Sequence, residues 1–331
     1  KQAPDSDRRH IMELGVMGAL FGGMSLDEAL DYCRKLELDA IELPCGAYPG
    51  DPWNLAGIHA KKGKLKELKA KLADRGLKVR GVAAHGNPVH PDKRTANAHH
   101  KMHRSAVRLA GEFNTVVINF SGCPGGGPND RTPNWVTCPW PPDFEQIADY
   151  QWNKVLIPYW SKEADFAKKH GVKIAFEAHP GMTVHNPEDV VRLRKAAGNA
   201  LGANLDPSHF FWQGIDPVEA ARYLGENKCI YHVHAKDCEI DARNSRINGN
   251  LDIKSYGEIN ARAWVFRTVG YGHGDDFWKP FLSMLRRYDY DGVISIEHED
   301  ALMSMSEGFE KAVEYLQPII IQEKAGEAWW F

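Results

Sequence analysis

Acidic and histidine residues recur in the C-terminal half of the chain at one kind of position, where a short aliphatic run ends. Four consecutive runs end in this way, at Glu177, Asp206, His234 and Glu297. A single carboxylate at a strand end is usually a loop cap or an ion-pair partner, but converging carboxylates repel one another unless a cation lies between them. The pattern therefore predicts a divalent metal site in which these side chains are the ligands.

The ligand set predicts the kind of metal but not its identity. Three carboxylates and one imidazole form an oxygen-dominated set, which suits Mn²⁺, Mg²⁺ or Co²⁺ better than a structural zinc. We expect Mn²⁺, with Mg²⁺ and Co²⁺ as alternatives. The 6 cysteines are scattered without a CxxC pair, so they predict free thiols rather than a four-cysteine zinc site.

The run from Tyr231 to Asp237 places two histidines on one face of a strand, because side chains alternate with a period of two. His234 lies nearer the end of this strand and is the predicted ligand. His232 is predicted to lie behind the metal ligands or to pack in the core as a satisfied histidine, with direct contact as a further alternative.

Eight short runs rich in β-branched and aliphatic residues alternate with longer amphipathic stretches. This alternation is typical of parallel strands joined by crossover helices. The predicted strands are 12–17, 40–43, 77–83, 115–120, 172–176, 201–205, 230–234 and 292–296. An open doubly wound sheet shares the alternation, but eight units favour an α/β chain folded as a single (β/α)8 TIM barrel.

Helices are predicted where apolar residues recur at three- and four-residue spacing, over 26–36, 65–75, 99–113 and 157–170. Gly76 and Gly171 are expected to end two of these helices in the left-handed conformation. Asn186 and Asp216 each precede a proline and are expected to cap further helices.

We divide the chain into a polar N-terminal extension over residues 1–10, a catalytic barrel over 11–322 and an aromatic tail over 323–331. Long loops follow strands 4 and 7, from Ser121 to Pro142 and from Cys238 to about Tyr271. Loops that follow barrel strands lie on the face where substrates bind, so both are expected to reach the site. The tail is expected to pack on a neighbouring subunit or on its own barrel.

The composition excludes several classes of protein. The 331 residues carry 41 Lys and Arg against 44 Asp and Glu, a formal net charge of -3, which gives no electrostatic basis for binding nucleic acid or an anionic membrane. A hydrophobic content of 43% is too high for a disordered chain. The sequence contains no run of about 18 apolar residues, so it predicts no membrane-spanning helix. We expect a cytoplasmic protein that acts on a small molecule.

The motifs around the predicted ligands resemble those of a known family. They are AFEAHPGMTVHNPE around Glu177, NLDPSHFFW around Asp206, YHVHAKD around His234 and SIEHED around Glu297. They resemble the xylose isomerase-like barrel proteins, in particular the sugar phosphate isomerase/epimerase group. The N-terminal half is similar in its alternation and in AAHGNPVHP around His85. The resemblance implies that these four residues bind the metal, that the two glutamates form the acid/base pair, and that His209 contacts substrate as in ketose epimerases.

The chain departs from the ketose epimerase pattern at two positions. Ile240 stands where those enzymes have an arginine, and Thr183 stands where they have a second glutamate. The segment after strand 7 contains Arg243 and Arg267, which are predicted to supply substitute substrate contacts. A solvated insertion or a subunit contact is an equally good interpretation of this segment.

The predicted site suits removal of a proton from a carbon next to a sugar carbonyl. A metal acts as a Lewis acid that stabilises the enediolate, while Glu177 and Glu297 exchange protons with carbon from either side of the other two ligands. We expect isomerase or epimerase activity on a free sugar or sugar derivative. Phosphate capture is disfavoured because the run from Gly125 to Gly127 lacks the lysine and hydroxyl residue of a P-loop.

Further substrate contacts are predicted near the strand ends. His179 is expected to polarise a hydroxyl group or support a ligand, and His85 to contact substrate or cap a loop. Trp212 is one of several loop aromatics that could offer a flat surface to a sugar, although each alone is more typical of packing. The others are Trp53, Trp135, Trp140 and Phe211.

Other functions compete with this one. The same metal and base could act as a lyase by β-elimination on a 3-oxo-glycoside, including the C-glycoside deglycosidase type, or as an inosose dehydratase, with a small partner subunit. The AP endonuclease branch of the superfamily, which gathers a multi-zinc cluster and binds DNA, is disfavoured by the net acidic charge and the absence of a long basic stripe. From another class, the chain could be a non-catalytic sugar-binding subunit. We also expect a homo-oligomer.

Overall fold

Eight parallel strands close into a barrel, which confirms the predicted (β/α)8 fold. The structure is a computed structural model that describes residues 12–48, 50–324, 326 and 330. The strands of the barrel are β1 (Glu13–Met17), β2 (Ala40–Pro44), β3 (Lys78–Ala83), β4 (Val117–Asn119), β5 (Ile174–Glu177), β6 (Leu201–Leu205), β7 (Ile230–Ala235) and, after two strands outside it, β10 (Val293–Ile296). Their order around the barrel is β1, β10, β7, β6, β5, β4, β3 and β2, which closes on β1.

The barrel strands form because their side chains are buried on both faces, inside the barrel and beneath the helices. Every residue of β1, β2, β5, β6 and β10 is buried, including the glutamates of β1, β2 and β5. The fourth strand is shorter than the predicted 115–120, because only Val117 to Asn119 pair with β5. The fifth extends one residue beyond its prediction and so includes Glu177.

Helices cover the outside of the barrel and join its strands. They are α1 (Leu26–Lys35), α2 (Lys62–Ala73), α3 (Lys93–Phe113), α4 (Pro142–Asp149), α5 (Ile157–Lys169), α6 (Pro187–Ala197), α7 (Ser208–Phe211), α8 (Pro217–Glu226), α9 (Ala242–Asn248), α10 (Asp275–Arg287) and α11 (Met305–Leu316). Short 3-10 helices span Gly18–Phe21, Ile58–Ala60 and Ile259–Ala261, and a π-helix spans Tyr150–Leu156.

The predicted helix boundaries agree with the structure where a cap marks them. Gly76 and Gly171 have φ of 70° and 69°, and Asn186 accepts a hydrogen bond from the Asp189 amide at 2.9 Å. The third helix begins earlier than the predicted residue 99, at Lys93, because the Asp92 carboxylate caps it by accepting from the Thr95 amide. Its first turn is polar, so the apolar periodicity did not mark this start.

The long segment after β7 is partly regular. β8 (Asp237–Ile240) and β9 (Trp264–Arg267) form an antiparallel pair, and α9 lies between them. Residues of this segment form, with Trp212 from the preceding loop, a small apolar cluster separate from the main core; they are Cys238, Ala263, Trp264 and Phe266. By contrast, the segment from Ser121 to Pro141 contains no helix or strand.

Two predictions concern residues that lie largely outside the part of the chain that the structure describes. The polar extension over 1–10 lies outside the described residues, and so does most of the aromatic tail, of which Trp330 is described and exposed. Among the described residues, no helix is both long enough and apolar enough to cross a membrane.

Candidate metal centre and substrate pocket

The predicted ligands meet at the carboxyl end of the barrel. Glu177 is the last residue of β5, Asp206 and Glu297 follow β6 and β10, and His234 lies in β7. Each of these residues offers one ligand atom, and the ligand atoms lie within 4.8 Å of one another. The structure thus brings together all four side chains that the sequence placed at strand ends.

His234 faces the carboxylates through one ring nitrogen. Its Nδ1 lies 3.2 Å from Glu177 Oε2 and 3.1 Å from Glu297 Oε2. The same nitrogen is 3.9 Å from Asp206 Oδ2. A cation among these atoms would have one nitrogen and three oxygens as protein ligands.

The charge balance of this cluster fits a divalent cation. Burial raises the pKa of Asp206 to about 8, helped by Glu177 and Glu297 although Lys236 opposes it. Its Oδ2 is buried without a hydrogen-bond partner among the described residues. A cation would give this oxygen a partner and would offset the mutual repulsion of the carboxylates.

The two glutamates ionise readily despite their burial. Burial raises the pKa of Glu177, but His85, His209 and His234 outweigh this effect and hold it well below its ordinary value. Burial also opposes ionisation of Glu297, but Lys236 and His234 lower its pKa to about 2. Both groups are therefore carboxylates at neutral pH.

A cavity of about 370 Å³ opens beside this cluster. Glu177 and Glu297 both line it, although they come from β5 and β10, which β6 and β7 separate in the barrel. The other lining residues are Tyr48, His85, Phe120, His179, His209, Lys236, Tyr256, Arg262, Val265, Phe266, Glu299 and Ala301. The cavity therefore combines ionised groups at the ligand cluster with several aromatic rings.

The three predicted histidine contacts lie in this cavity. His85 Nε2 is 3.0 Å from Glu177 Oε2, and His209 Nε2 is 3.0 Å from Glu177 Oε1. His179 packs against His209, with ring centroids 4.1 Å apart. Burial, aided by His179 and Lys236, lowers the pKa of His209 to about 3, so this imidazole is neutral.

The structure does not bring Trp212, Arg243 or Arg267 to the cavity. Trp212 stacks on Trp264 at 4.4 Å within the apolar cluster of the long segment. Arg243 is exposed on α9. Arg267 pairs with Asp300 at 3.2 Å and with Glu239, because its strand β9 directs it towards these carboxylates.

The long segment contributes other residues to the cavity than those predicted. Tyr256, Arg262, Val265 and Phe266 line it. The Arg262 guanidinium lies 4.5 Å from the ring of Tyr256. Their residue types and spacing are not typical of metal ligands or of a charge cluster, so the sequence did not distinguish them from other residues of the insertion.

Lys236 is a charged cavity residue that was not predicted. Its ammonium nitrogen is 3.2 Å from Glu297 Oε2 and 2.9 Å from Glu299 Oε2, and the residue is 2% exposed. The spacing in the sequence could have indicated this residue, since Lys236 follows His232 and His234 at the same interval of two residues, just after the strand.

Glu42 is a second buried residue that was not predicted. It lies in β2, and its Oε2 is 3.0 Å from His234 Nε2 and 2.9 Å from His232 Nε2. His232 therefore lies behind the ligand cluster, in contact with Glu42. The only sequence signal was a carboxylate inside an otherwise apolar strand, AIELP.

The chain matches a known protein family over most of its length. Residues 30–319 match the family described as xylose isomerase-like TIM barrel. The chain belongs to this family. It is 38% identical to the uncharacterized protein YfiH of Bacillus subtilis (strain 168), over 94% of this chain and 100% of that protein. It is 27% identical to an inosose dehydratase of Clostridium tetani over 53% of this chain and 58% of that enzyme, so this match spans about half of each.

Several solved structures share the fold of this chain. The probable 3-DHS dehydratase AsbF of Bacillus anthracis superposes with a TM-score of 0.63 at 16% identity, covering 92% of this chain and 98% of that one. The 3-keto-D-glucoside 4-epimerase YcjR of E. coli gives 0.61 at 13%, covering 93% and 99%. A family protein of Mycobacterium smegmatis in complex with magnesium gives 0.62 at 16%, covering 93% and 98%. At these identities the matches establish the fold and not the reaction.

Proposed function

We propose that this protein is a divalent-metal-dependent isomerase or epimerase that moves a proton next to the carbonyl group of a free sugar or sugar derivative. One observation carries the proposal. Glu177 and Glu297 are both ionised and line the same cavity. They lie at the ends of β5 and β10, and the strands β6 and β7, which carry the other two ligands, lie between these. Two bases on different sides of a bound carbon can remove a proton and return one.

A divalent ion held by Glu177, Asp206, His234 and Glu297 would supply Lewis-acid stabilisation of negative charge beside a carbonyl. We favour Mn²⁺, with Mg²⁺ and Co²⁺ as alternatives, because the set is mainly oxygen.

Glu297 is the stronger candidate for the base that removes the proton. Its Oε2 is held by Lys236 at 3.2 Å, while no hydrogen bond to its Oε1 is found among the described residues. Each oxygen of Glu177 already accepts a hydrogen bond, from His209 at 3.0 Å on Oε1 and from His85 at 3.0 Å on Oε2, which makes Glu177 the weaker base of the two. Glu297 thus keeps an oxygen for a carbon-bound proton.

His209 is suited to orient the sugar. Its Nε2 faces Glu177, and its Nδ1 is buried without a hydrogen-bond partner in the part of the chain that the structure describes. Because this imidazole is neutral and its Nε2 proton is donated to the carboxylate, a substrate hydroxyl that reached Nδ1 would find an acceptor there. Reprotonation at the neighbouring carbon gives an isomer, and reprotonation of the same carbon on its other face gives an epimer.

A lyase is the second candidate, favoured by Lys236. Its ammonium lines the cavity next to Glu297 and can donate a proton to a departing oxygen. Glu297 would take the proton next to the carbonyl, the bond from the β carbon to the leaving oxygen would break, and a carbon–carbon double bond would form. The partial likeness to inosose dehydratases supports this candidate.

The test is to incubate the Mn²⁺-loaded protein in D₂O with ketoses, aldoses, inososes and 3-oxo-glycosides, and to follow the products by NMR. We expect carbon-bound deuterium in an isomeric sugar, lost in Glu297→Gln and retained in Glu163→Gln, which alters a buried carboxylate between α3 and α5. An unsaturated product or a released aglycone would favour the lyase. Sugar binding without exchange or product would favour a non-catalytic binding subunit and contradict the proposal.

A further inference from the structure

Three side-chain donors converge on one carboxylate oxygen behind the candidate metal ligands. Glu42 Oε2 accepts from His232 Nε2 at 2.9 Å, from His234 Nε2 at 3.0 Å and from Ser295 Oγ at 3.2 Å. Glu42 reaches them across the barrel interior from β2, while the donors belong to β7 and β10. The arrangement fixes this carboxylate in one position.

The contact with Glu42 determines which nitrogen of His234 carries the proton. With a cation on Nδ1 the imidazole of His234 has one N–H, and an ionised carboxylate can only accept a hydrogen bond. The Nε2 that faces Glu42 must therefore carry the hydrogen. This leaves the lone pair on Nδ1, which lies 3.2 Å from Glu177 Oε2 and 3.1 Å from Glu297 Oε2.

We propose that Glu42 is a positioning residue for the metal centre, which holds the Nε2 proton of His234 so that Nδ1 is presented as the metal ligand. His232 donates to the same oxygen and holds Glu42 in place. A carboxylate behind a metal-binding histidine fixes the ring orientation and raises the basicity of the ligand nitrogen. The inference rests on the metal site of the proposed function and not on the sugar reaction.

Glu42 acts through His234 and not on substrate. It is 1% exposed and is absent from the lining of the cavity. Its other oxygen, Oε1, has no hydrogen-bond partner among the described residues. Its hydrogen-bond partners are therefore the two histidines and Ser295.

The test compares metal affinity in three variants. Glu42→Gln keeps the shape and one neutral acceptor, Glu42→Met keeps the approximate length but removes every acceptor, and Glu13→Gln alters a buried carboxylate that instead pairs with Arg80. Mn²⁺ titration followed by electron paramagnetic resonance gives Kd. We expect Kd to rise about 10- to 100-fold in Glu42→Met, less in Glu42→Gln, and not at all in Glu13→Gln.

A second measurement separates positioning from a merely structural role. Zn²⁺-loaded protein with ¹⁵N-labelled histidine, assigned with His234→Gln, should show a slowly exchanging Nε2 proton on His234 that Glu42→Gln retains and Glu42→Met loses. If Glu42→Met does not fold, the smaller shifts in Glu42→Gln still test the inference. Wild-type Kd in both Glu42 variants would overturn it, whatever their melting temperatures.

The outcome is independent of the sugar reaction. Wild-type protein that binds Mn²⁺ but transforms no sugar would overturn the proposed function and leave the role of Glu42 intact if its variants bind weakly. Sugar turnover by the wild-type protein, with unaltered Mn²⁺ Kd in the Glu42 variants, would support the proposed function and overturn the role of Glu42. Wild-type protein that binds no Mn²⁺ would overturn both.

Discussion

Lys236 places its ammonium nitrogen 3.2 Å from Glu297 Oε2, and both side chains line the cavity beside the metal ligands. Lys236 is buried and also lies 2.9 Å from Glu299 Oε2. A buried cation beside an acid stabilises the ionised form of that acid. Lys236 therefore helps to keep the candidate base ready to accept a proton at neutral pH.

Replacing Lys236 should move the pH dependence of activity. Burial raises the pKa of Glu297 and Lys236 is the largest influence that lowers it, so Lys236→Met should raise this pKa. Because the base must be ionised, the acid limb of kcat/KM should shift to higher pH, on the order of one pH unit. A pH profile checks this, with Glu299→Gln as the control that keeps the ammonium; an unmoved limb in Lys236→Met would contradict the argument.

Metal removal should make stability fall with rising pH. The pKa of Asp206 is raised from 3.8 to about 8 by burial and by the neighbouring glutamates. Its folded form therefore holds a proton more tightly than the unfolded chain, so its stabilising contribution is full below about pH 4 and is lost as pH rises through about 8. A bound divalent cation should cancel this loss, because it favours the ionised carboxylate.

Thermal denaturation with and without a chelator checks the pH dependence. The difference in melting temperature between metal-loaded and metal-free protein should grow from pH 6 to pH 8. In the metal-free Asp206→Asn variant, the melting temperature should depend less steeply on pH, because the contribution of Asp206 to this dependence is lost. A slope equal in both metal-free proteins would show that other groups cause it.

The sequence predicted the barrel and the ligand cluster for related reasons. Strands buried on both faces appear as aliphatic runs, so a polar residue that ends such a run stands out, as Asp206 does after Leu201–Leu205. Glu42 was not predictable in this way, because its partner His232 is 190 residues away and the pairing depends on barrel closure.

The cavity wall was the least predictable part of the site. Val265 and Phe266 belong to a strand within a polar insertion, and their exposure to the cavity depends on the pairing of β8 with β9. Arg243 and Arg267 were predicted from charge alone, but charge does not determine the direction of a side chain. The homo-oligomer and the small partner subunit stay predictions.

His209 should affect turnover without affecting metal binding. Its Nε2 donates to Glu177 Oε1 at 3.0 Å, and it is not among the metal-ligand cluster. His209→Asn should lower kcat/KM on the order of 10- to 100-fold, the cost of losing one hydrogen bond to a charged group. The Mn²⁺ Kd should stay unchanged. Steady-state kinetics and Mn²⁺ titration check this, with His185→Asn as a control outside the cavity lining; a large increase in Kd would assign His209 to the metal site instead.

The apolar cluster of the long segment should determine substrate binding more than barrel stability. Trp264 stacks on Trp212 at 4.4 Å and lies beside Phe266, which lines the cavity. Trp264→Ala should cost about 3–5 kcal/mol of local stability, because it removes a large buried ring. The cavity wall would then loosen, so KM should rise more than kcat falls.

Hydrogen exchange checks where the effect of Trp264→Ala is confined. Amides of β8 and β9 should lose protection, while those of β5 and β6 keep it, because the cluster is separate from the main core. The control is Ile253→Ala, since this side chain of the same segment is fully exposed and should change neither protection nor KM. Equal loss of protection in the barrel strands would mean that the segment and the barrel unfold as one unit.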